Sequence, residues 1–290
     1  MSLEVRRLSH ALGAEILGID IHQPLDEKTV AGIQAAFLEH GIVLFRGEPL
    51  TRAQHVAFSR QLGDVDKNDV VRPGKTAEEF PEVGVVINKN IKKADANAFS
   101  AYHTGMYWHS DRSYLTTPSR ATLLHALVLP SVGGDTMFCN CSLAYETLSE
   151  GMKQLLEGLD CAHVRDERYH DRSSPEALKE AMRVSQAAQP LVRVHPETGR
   201  KSLFLGEDNI KHIIGMTAEE SAPLLRYLHQ HATRPQFVYR HNWQVGDLIM
   251  WDNRCTMHNA IGDYDKSTEN RHLEKTYLRG TPLGYAYPPQ

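Results

Sequence analysis

His109 and Asp111 stand two residues apart in Tyr107-Trp108-His109-Ser110-Asp111-Arg112-Ser113-Tyr114, and a second histidine, His258, lies far downstream. Residues i and i+2 of an extended strand project from one face, so this spacing lets both side chains reach one metal ion. Two imidazoles and one carboxylate on one side of a metal leave the opposite side open, as in non-heme Fe(II) oxygenases. The same trio suits a zinc hydrolase, and an HxD by itself is common as a surface hydrogen-bonding pair. Two features favour iron over zinc: no nearby HExxH supplies the base of a zinc protease, and a cation and a hydroxyl are available for a second, dianionic ligand.

The elements around these residues must bring them together. Val245-Gly246-Asp247-Leu248-Ile249-Met250-Trp251 reads as a buried strand and Asp252-Asn253-Arg254 as a turn or bulge, which puts His258 just past a sheet end. Gly41 to Phe45 and Ala121 to Leu129 are continuous apolar runs, the pattern of strands covered on both faces. Further strands are expected near Ala14 to Ile19, Val83 to Ile87, 236–241 and 273–279, with a hairpin of Val192 to His195 against Lys201 to Leu205. Asp26, Thr51 and Thr217 cap helices through about His40, Leu62 and Ala232. Residues 142–158 predict one helix capped by Ser142, part of a helical excursion over roughly 142–190. The polar stretch from Asn88 to Thr104 carries Lys89, Lys92 and Lys93 and reads as a loop ahead of the metal strand, either a lid or a solvated connection. Short strands with helices outside them give a mostly β fold, a double-sheet jelly roll, as one domain over residues 1–290.

Bulk properties exclude several classes. The 290 residues are 41% hydrophobic and 23% charged with a formal net charge of −4 and no long basic run, so a nucleic-acid partner is not expected. No apolar run is long enough to span a bilayer, and the charged N-terminus does not read as a signal peptide. The four cysteines, Cys139, Cys141, Cys161 and Cys255, are too scattered for a disulfide framework and are read as reduced, which fits a cytoplasmic enzyme. Cys255, three residues before His258, is either a soft metal ligand or a small apolar filler. The expected partner is a small-molecule substrate, with the chain a homo-oligomer.

Trp108-His109-Ser110-Asp111, Gly133-Gly134-Asp135-Thr136, Gly246 through Arg254, His258 and Arg271 together resemble the taurine dioxygenase and chlorophenoxyacetate dioxygenase family, from Leu12-Gly13-Ala14-Glu15-Ile16 almost to the end of the chain. The resemblance implies a cupin-like double-stranded β-helix, Fe(II) as cofactor, and 2-oxoglutarate and O2 as cosubstrates. It implies His109, Asp111 and His258 as iron ligands, with Arg271 and Thr136 holding the far carboxylate of 2-oxoglutarate. Read from the residues alone, Arg271 could instead be a surface arginine paired with Glu269 or Glu274, and Thr136 could cap the preceding turn. A turn at Asp263 to Lys266 is expected to return the chain on a strand neighbouring His258, bringing Arg271 alongside it. Lys275 stands where these enzymes carry an arginine for an anionic substrate group, so a small anionic organic substrate is implied, met by a point charge rather than a fork. His103 and Tyr107 precede the metal strand and either line the substrate pocket or simply pack. The implied reaction is hydroxylation of an unactivated C–H bond with release of succinate and CO2. Beside a heteroatom, the hydroxylated product can collapse with C–O, C–N or C–S cleavage. A zinc hydrolase and a non-catalytic binding protein of the same fold are the alternatives.

Overall fold

The apolar run Leu248-Ile249-Met250-Trp251 is buried along its whole length because its two faces enter different cores. Leu248 and Met250 pack with Ile33, Phe37, Phe58 and Leu62 from two helices, while Ile249 and Trp251 pack with Phe138 and Trp243 on the other side. The same alternation holds in Ile42-Val43-Leu44-Phe45, where Val43 and Phe45 meet the helices and Ile42 and Leu44 face inward. A central strand covered twice needs no polar face, and each large side chain so buried contributes about 1.5–3 kcal/mol.

The computed structural model describes residues 3–67, 76–77, 79–88, 105–165, 186–207 and 209–287. In chain order the first strands are β1 (Glu4–Arg7), β2 (Ala14–Leu17), β3 (Ile42–Phe45), β4 (Val65–Asp66), β5 (Thr76–Ala77) and β6 (Phe80–Asn88). There follow β7 (Ala121–Val128), β8 (Thr136–Asn140), β9 (Asp160–Val164), β10 (Gln186–Pro190), β11 (Val192–Val194) and β12 (Lys201–Leu203). The last are β13 (Ile210–Ile213), β14 (Val238–His241), β15 (Leu248–Asp252), β16 (Thr256–Ala260), β17 (Arg271–Leu278) and β18 (Tyr285–Ala286). The larger sheet runs β1-β2-β3-β15-β7-β17-β6-β5 with β4 against β17, and the smaller one facing it runs β14-β8-β16. Helices α1 (Glu27–His40) and α2 (Arg52–Leu62) cover the outside of the larger sheet. Behind the smaller sheet, Cys139 and Met257 enter a second core with residues of α3 (Cys141–Glu146), α4 (Glu150–Leu156) and α5 (Ala218–Ala232). Two facing sheets with helices outside them form the expected jelly-roll core.

The caps hold where they were expected. Asp26 accepts from Thr29 N at 2.7 Å, and Thr51 and Thr217 each close a capping box, with Gln54 and Glu220. The segment 142–190 differs. Residues 142–158 are two helices rather than one, capped by Asn140 and Ser149, because Thr147 ends the first by donating its hydroxyl to Leu143 O and Ala144 O. Among the described residues of this segment the last helix ends at Leu156, and Asp160–Val164 and Gln186–Pro190 pair as antiparallel strands. Gln186-Ala187-Ala188-Gln189-Pro190 has no β-branched residue to announce a strand, so long-range pairing decides its conformation. The excursion's residues 166–185, and the loop carrying Lys89, Lys92, Lys93 and His103, lie outside the described residues.

Candidate active site

Strand β17 sorts its side chains by parity. Glu274, Thr276 and Leu278 face the helices: Glu274 is forked by Arg52, and the Thr276 hydroxyl lies 2.8 Å from that of Ser59. Arg271, Leu273, Lys275 and Tyr277 face inward, across from the smaller sheet, where Thr136 and Phe138 of β8 and His258 and Ala260 of β16 look back. Sequence neighbours thus reach one cavity from opposite walls. Arg271 does not lie on a strand neighbouring His258, because the Asp263 to Lys266 turn carries the chain from one sheet to the other.

His109 is not in a strand but forms an isolated bridge to His258, with His109 N–H donating to His258 O at 3.0 Å and the return bond at 2.8 Å. After the bridge the chain turns, and Arg112 adopts φ 56, the one positive φ outside glycine among the described residues. The expectation of one face of one strand therefore fails, yet the turn delivers Asp111 to the same point. One donor atom each from His109, Asp111 and His258 lies within 4.8 Å of the others, and both His Nε2 atoms are 3.8 Å from an Asp111 oxygen. Arg112 is held by Asp66 at 3.2 Å and by the ring of Tyr277, 4.1 Å from its guanidinium carbon.

Protonation states follow from neighbours. His109 Nδ1 is 2.8 Å from the Tyr107 carbonyl, which only accepts, so that nitrogen carries the proton and Nε2 offers its lone pair. Burial and then the adjacent His109 push His258 down to about 3, which leaves it neutral near pH 7. Burial alone would raise the Asp111 carboxyl, but Lys275, His258, His109 and the Thr122 hydroxyl outweigh it and hold Asp111 ionised, well below the usual carboxylate range. Two neutral imidazoles and one carboxylate are the donor set that a divalent iron accepts.

Arg271 fits an anion beside that ion. It is only 7% exposed, its Nε donates to Gly134 O at 3.0 Å, and its Nη2 is buried with no partner. Neither carboxylate considered from sequence reaches it, since Glu269 accepts from Ser131 and Glu274 from Arg52. Gly134 has φ +73, and a Cβ there would sit 3.3 Å from the Arg271 side chain, so glycine is what lets the guanidinium approach this backbone. Thr136, two residues on, accepts from Trp243 Nε1 at 3.0 Å and keeps its own hydroxyl proton to donate.

Lys275 lies inward with its ammonium 4.9 Å from the Tyr277 ring centre. Burial opposes its charge, but Tyr277, Asp111 and Tyr114 together raise it above the ordinary lysine value, so it stays cationic. The Tyr107 ring lies tilted against His109 with centres 4.8 Å apart, and its backbone supplies the carbonyl noted above, while His103 lies outside the described residues. Cys255 belongs to a different trio, with His195 and Asp252, and not to the metal candidates around Asp111. Sequence reasoning passed over Thr122 and Asn253, which bond to Asp111 directly. A lone threonine in the apolar run of β7 was the available signal.

The comparisons agree with this geometry. The taurine catabolism dioxygenase TauD, TfdA family matches residues 4–277. The chain is 36% identical over 266 residues to the alpha-ketoglutarate-dependent 2,4-dichlorophenoxyacetate dioxygenase of Cupriavidus pinatubonensis, covering 89% of this chain and 92% of that one. It is 34% identical over 287 residues to an alkylsulfatase of Acinetobacter baylyi, covering 96% and 85% of the two. The crystal structure of AAD-2 in complex with Mn(II) and N-oxalylglycine superposes with a TM-score of 0.84 at 28% identity, covering 100% of both chains. The interior trio, the buried guanidinium and the match over nearly the whole chain lead to one conclusion: this protein belongs to the TauD/TfdA family and is an Fe(II)- and 2-oxoglutarate-dependent dioxygenase.

Proposed function

We propose that His109, Asp111 and His258 hold the iron, that Arg271 and Thr136 receive the far carboxylate of 2-oxoglutarate, and that Lys275 draws in a small organic anion for hydroxylation. The carrying observation is the buried, partnerless Nη2 of Arg271, on the wall facing the trio. A buried guanidinium without an acceptor is costly, and a carboxylate repays that cost with charge-assisted bonds. Iron, 2-oxoglutarate and dioxygen together supply the oxidising power: one oxygen atom leaves in succinate, with loss of CO2, and the other enters a C–H bond of the substrate.

The chain's own part is placement. The Tyr107 carbonyl fixes the His109 tautomer, and the neutral state of His258 spares iron binding a deprotonation. Arg271 sets the direction in which the cosubstrate lies. Lys275, two inward positions further along the same strand, gives the cavity a positive charge close to Asp111 and His258, which favours carboxylate-, sulfonate- or sulfate-bearing substrates over neutral ones. The names of the relatives, a chlorophenoxyacetate dioxygenase and an alkylsulfatase, support that class. We read residues 1–290 as one domain built around this cavity.

Arg271→Ala should weaken 2-oxoglutarate binding by about 2–4 kcal/mol, as expected for truncating one partner of a buried charged pair. Anaerobic titration of the Fe(II) protein, following the metal-to-ligand charge-transfer band, measures it; unchanged affinity would reject the assignment. On the substrate side, a screen of aryloxy acids, sulfonates and alkyl sulfates for substrate-dependent succinate formation should find anionic turnover. Lys275→Met should then weaken that substrate while leaving the charge-transfer titration intact, and a neutral best substrate would reject the anion role.

A further inference from the structure

The carboxylate of Asp111 sits at the end of a hydrogen-bond chain whose direction is set by a group that can only donate. Trp251 Nε1 donates to Asn253 Oδ1 at 3.0 Å, and the backbone N–H of Asp111 donates to the same oxygen at 3.1 Å. Two donors on Oδ1 fix the orientation of the Asn253 amide, so its Nδ2 faces Thr122 and donates to Oγ1 at 2.9 Å. With that lone pair taken, the Thr122 hydroxyl proton goes to Asp111 Oδ2, 2.7 Å away. Every member is buried: Thr122 and Asn253 at 0% exposure, Trp251 at 1% and Asp111 at 6%. Register fixes Thr122 between its neighbours, opposite Trp251 on β15 and Tyr277 on β17.

We propose that Trp251, Asn253 and Thr122 act as positioning residues that bind one oxygen of Asp111 and so restrict it to ligating the metal through the other. The inference rests on the ligand role of Asp111 proposed above. An ion held by His109, Asp111 and His258 would need its remaining positions for the two chelating oxygens of 2-oxoglutarate and for dioxygen. A second oxygen from Asp111 would take one of them. A hydrogen bond from Thr122 lowers the donor strength of Oδ2, and the Asn253 contact to the Asp111 backbone prevents the turn from rotating to present both oxygens. The chain thus protects the open face rather than strengthening the ligand set alone.

The test uses Co(II) alone, titrated anaerobically into metal-free full-length protein and followed by its visible absorption. Thr122→Val removes the hydroxyl at nearly constant shape and should weaken Co(II) binding by about 10- to 100-fold, with an altered d–d spectrum. Thr122→Ser keeps the hydroxyl and should restore both. Thr122→Ala, which removes the same donor without a branched side chain, should behave as the valine variant does. In the Fe(II) protein, Thr122→Val should also diminish the 2-oxoglutarate charge-transfer band, and Thr122→Ser should retain it. Wild-type Co(II) affinity and spectrum in the valine and alanine variants, or equal losses in the serine and valine variants, would overturn the proposal. Asp111→Ala separates the two levels: if it binds Co(II) normally, the ligand assignment itself fails, whereas if it loses Co(II) while Thr122→Val does not, only the positioning chain fails.

Discussion

Among the described residues two trios of metal-capable side chains lie in the interior, His109–Asp111–His258 and His195–Asp252–Cys255, and each keeps its donor atoms within 4.8 Å. They differ in what surrounds them. In the second, Arg254 donates to Asp252 through Nε at 2.8 Å, Nη2 at 2.6 Å and its backbone N–H at 2.9 Å. His195 Nδ1 accepts from the backbone N–H groups of Glu197 and Thr198, so its proton sits on Nε2 and points at Asp252, 3.0 Å away. The carboxylate is saturated, the imidazole has no lone pair to give, and burial followed by the Asp252 charge drives the Cys255 thiol well above its ordinary value. In the first trio the backbone partner of His109 is a carbonyl rather than N–H groups, which reverses the tautomer and exposes the lone pair. Residue type makes both candidates; the partner of the far nitrogen, and the presence of an internal guanidinium, decides which stays open to a metal.

The sharpest way to break this comparison is to remove a proposed ligand from the open trio. His109→Ala, Asp111→Ala and His258→Ala should each abolish detectable turnover and bound iron, measured by metal analysis of anaerobically reconstituted protein, while circular dichroism stays that of a folded chain. The fold survives because none of the three side chains belongs to an apolar core cluster; His258 only packs its ring against Trp251 and Phe138. A variant with full activity would remove its residue from the site.

A change in the closed trio should read out as stability. Asp252→Asn leaves the buried Arg254 with only Glu197, at the rim, as counter-charge and should cost about 3 kcal/mol in denaturant unfolding. Burial would raise the Asp252 carboxyl, but Arg254 and His195 outweigh it and hold the folded-state value below 3.8. The unfolded chain therefore binds this proton first. The stabilisation is fully present above about pH 4 and is lost as pH falls through the lower folded value. Parent and variant should accordingly converge in stability in strong acid, and a constant gap down to pH 2 would show that Asp252 is not the group responsible.

Local signals were legible in the sequence and long-range ones were not. Asp26, Thr51 and Thr217 announced their helices because a cap needs only a side chain and the next three residues. The run at β15 was legible because both of its faces are apolar. The strand assigned to His109-Ser110-Asp111 was wrong, although the convergence it was meant to explain is present, because a bridge to His258 and the turn at Arg112 are set by a partner far along the chain. Arg271 was singled out by type and by resemblance, but its wall of the cavity was misplaced, since facing sheets separate residues that sequence brings close. Asn253 was read as part of a turn; its contact with Asp111 spans 142 positions, and nothing local marks it.

The smallest expected effect tests the comparison from its weakest side. Cys255 is the residue that sequence left open as a soft ligand, and it lies only three positions before His258. Its Sγ makes no closer polar contact than 4.0 Å to Asp252 O, and a Cβ at Gly41 would lie 3.9 Å from it, so it fills space between β16 and the end of α1. Cys255→Ala should therefore cost about 1 kcal/mol of stability, the ordinary effect of trimming a packed side chain. Iron content and the 2-oxoglutarate charge-transfer band should be unchanged. A soft ligand would behave otherwise, since its loss would shift metal preference away from thiophilic ions. Competition between Co(II) and Cd(II) for the parent and the alanine variant measures that directly. Equal selectivity in the two proteins leaves Cys255 as packing, whereas a loss of Cd(II) binding in the variant would mean that the second trio opens in solution.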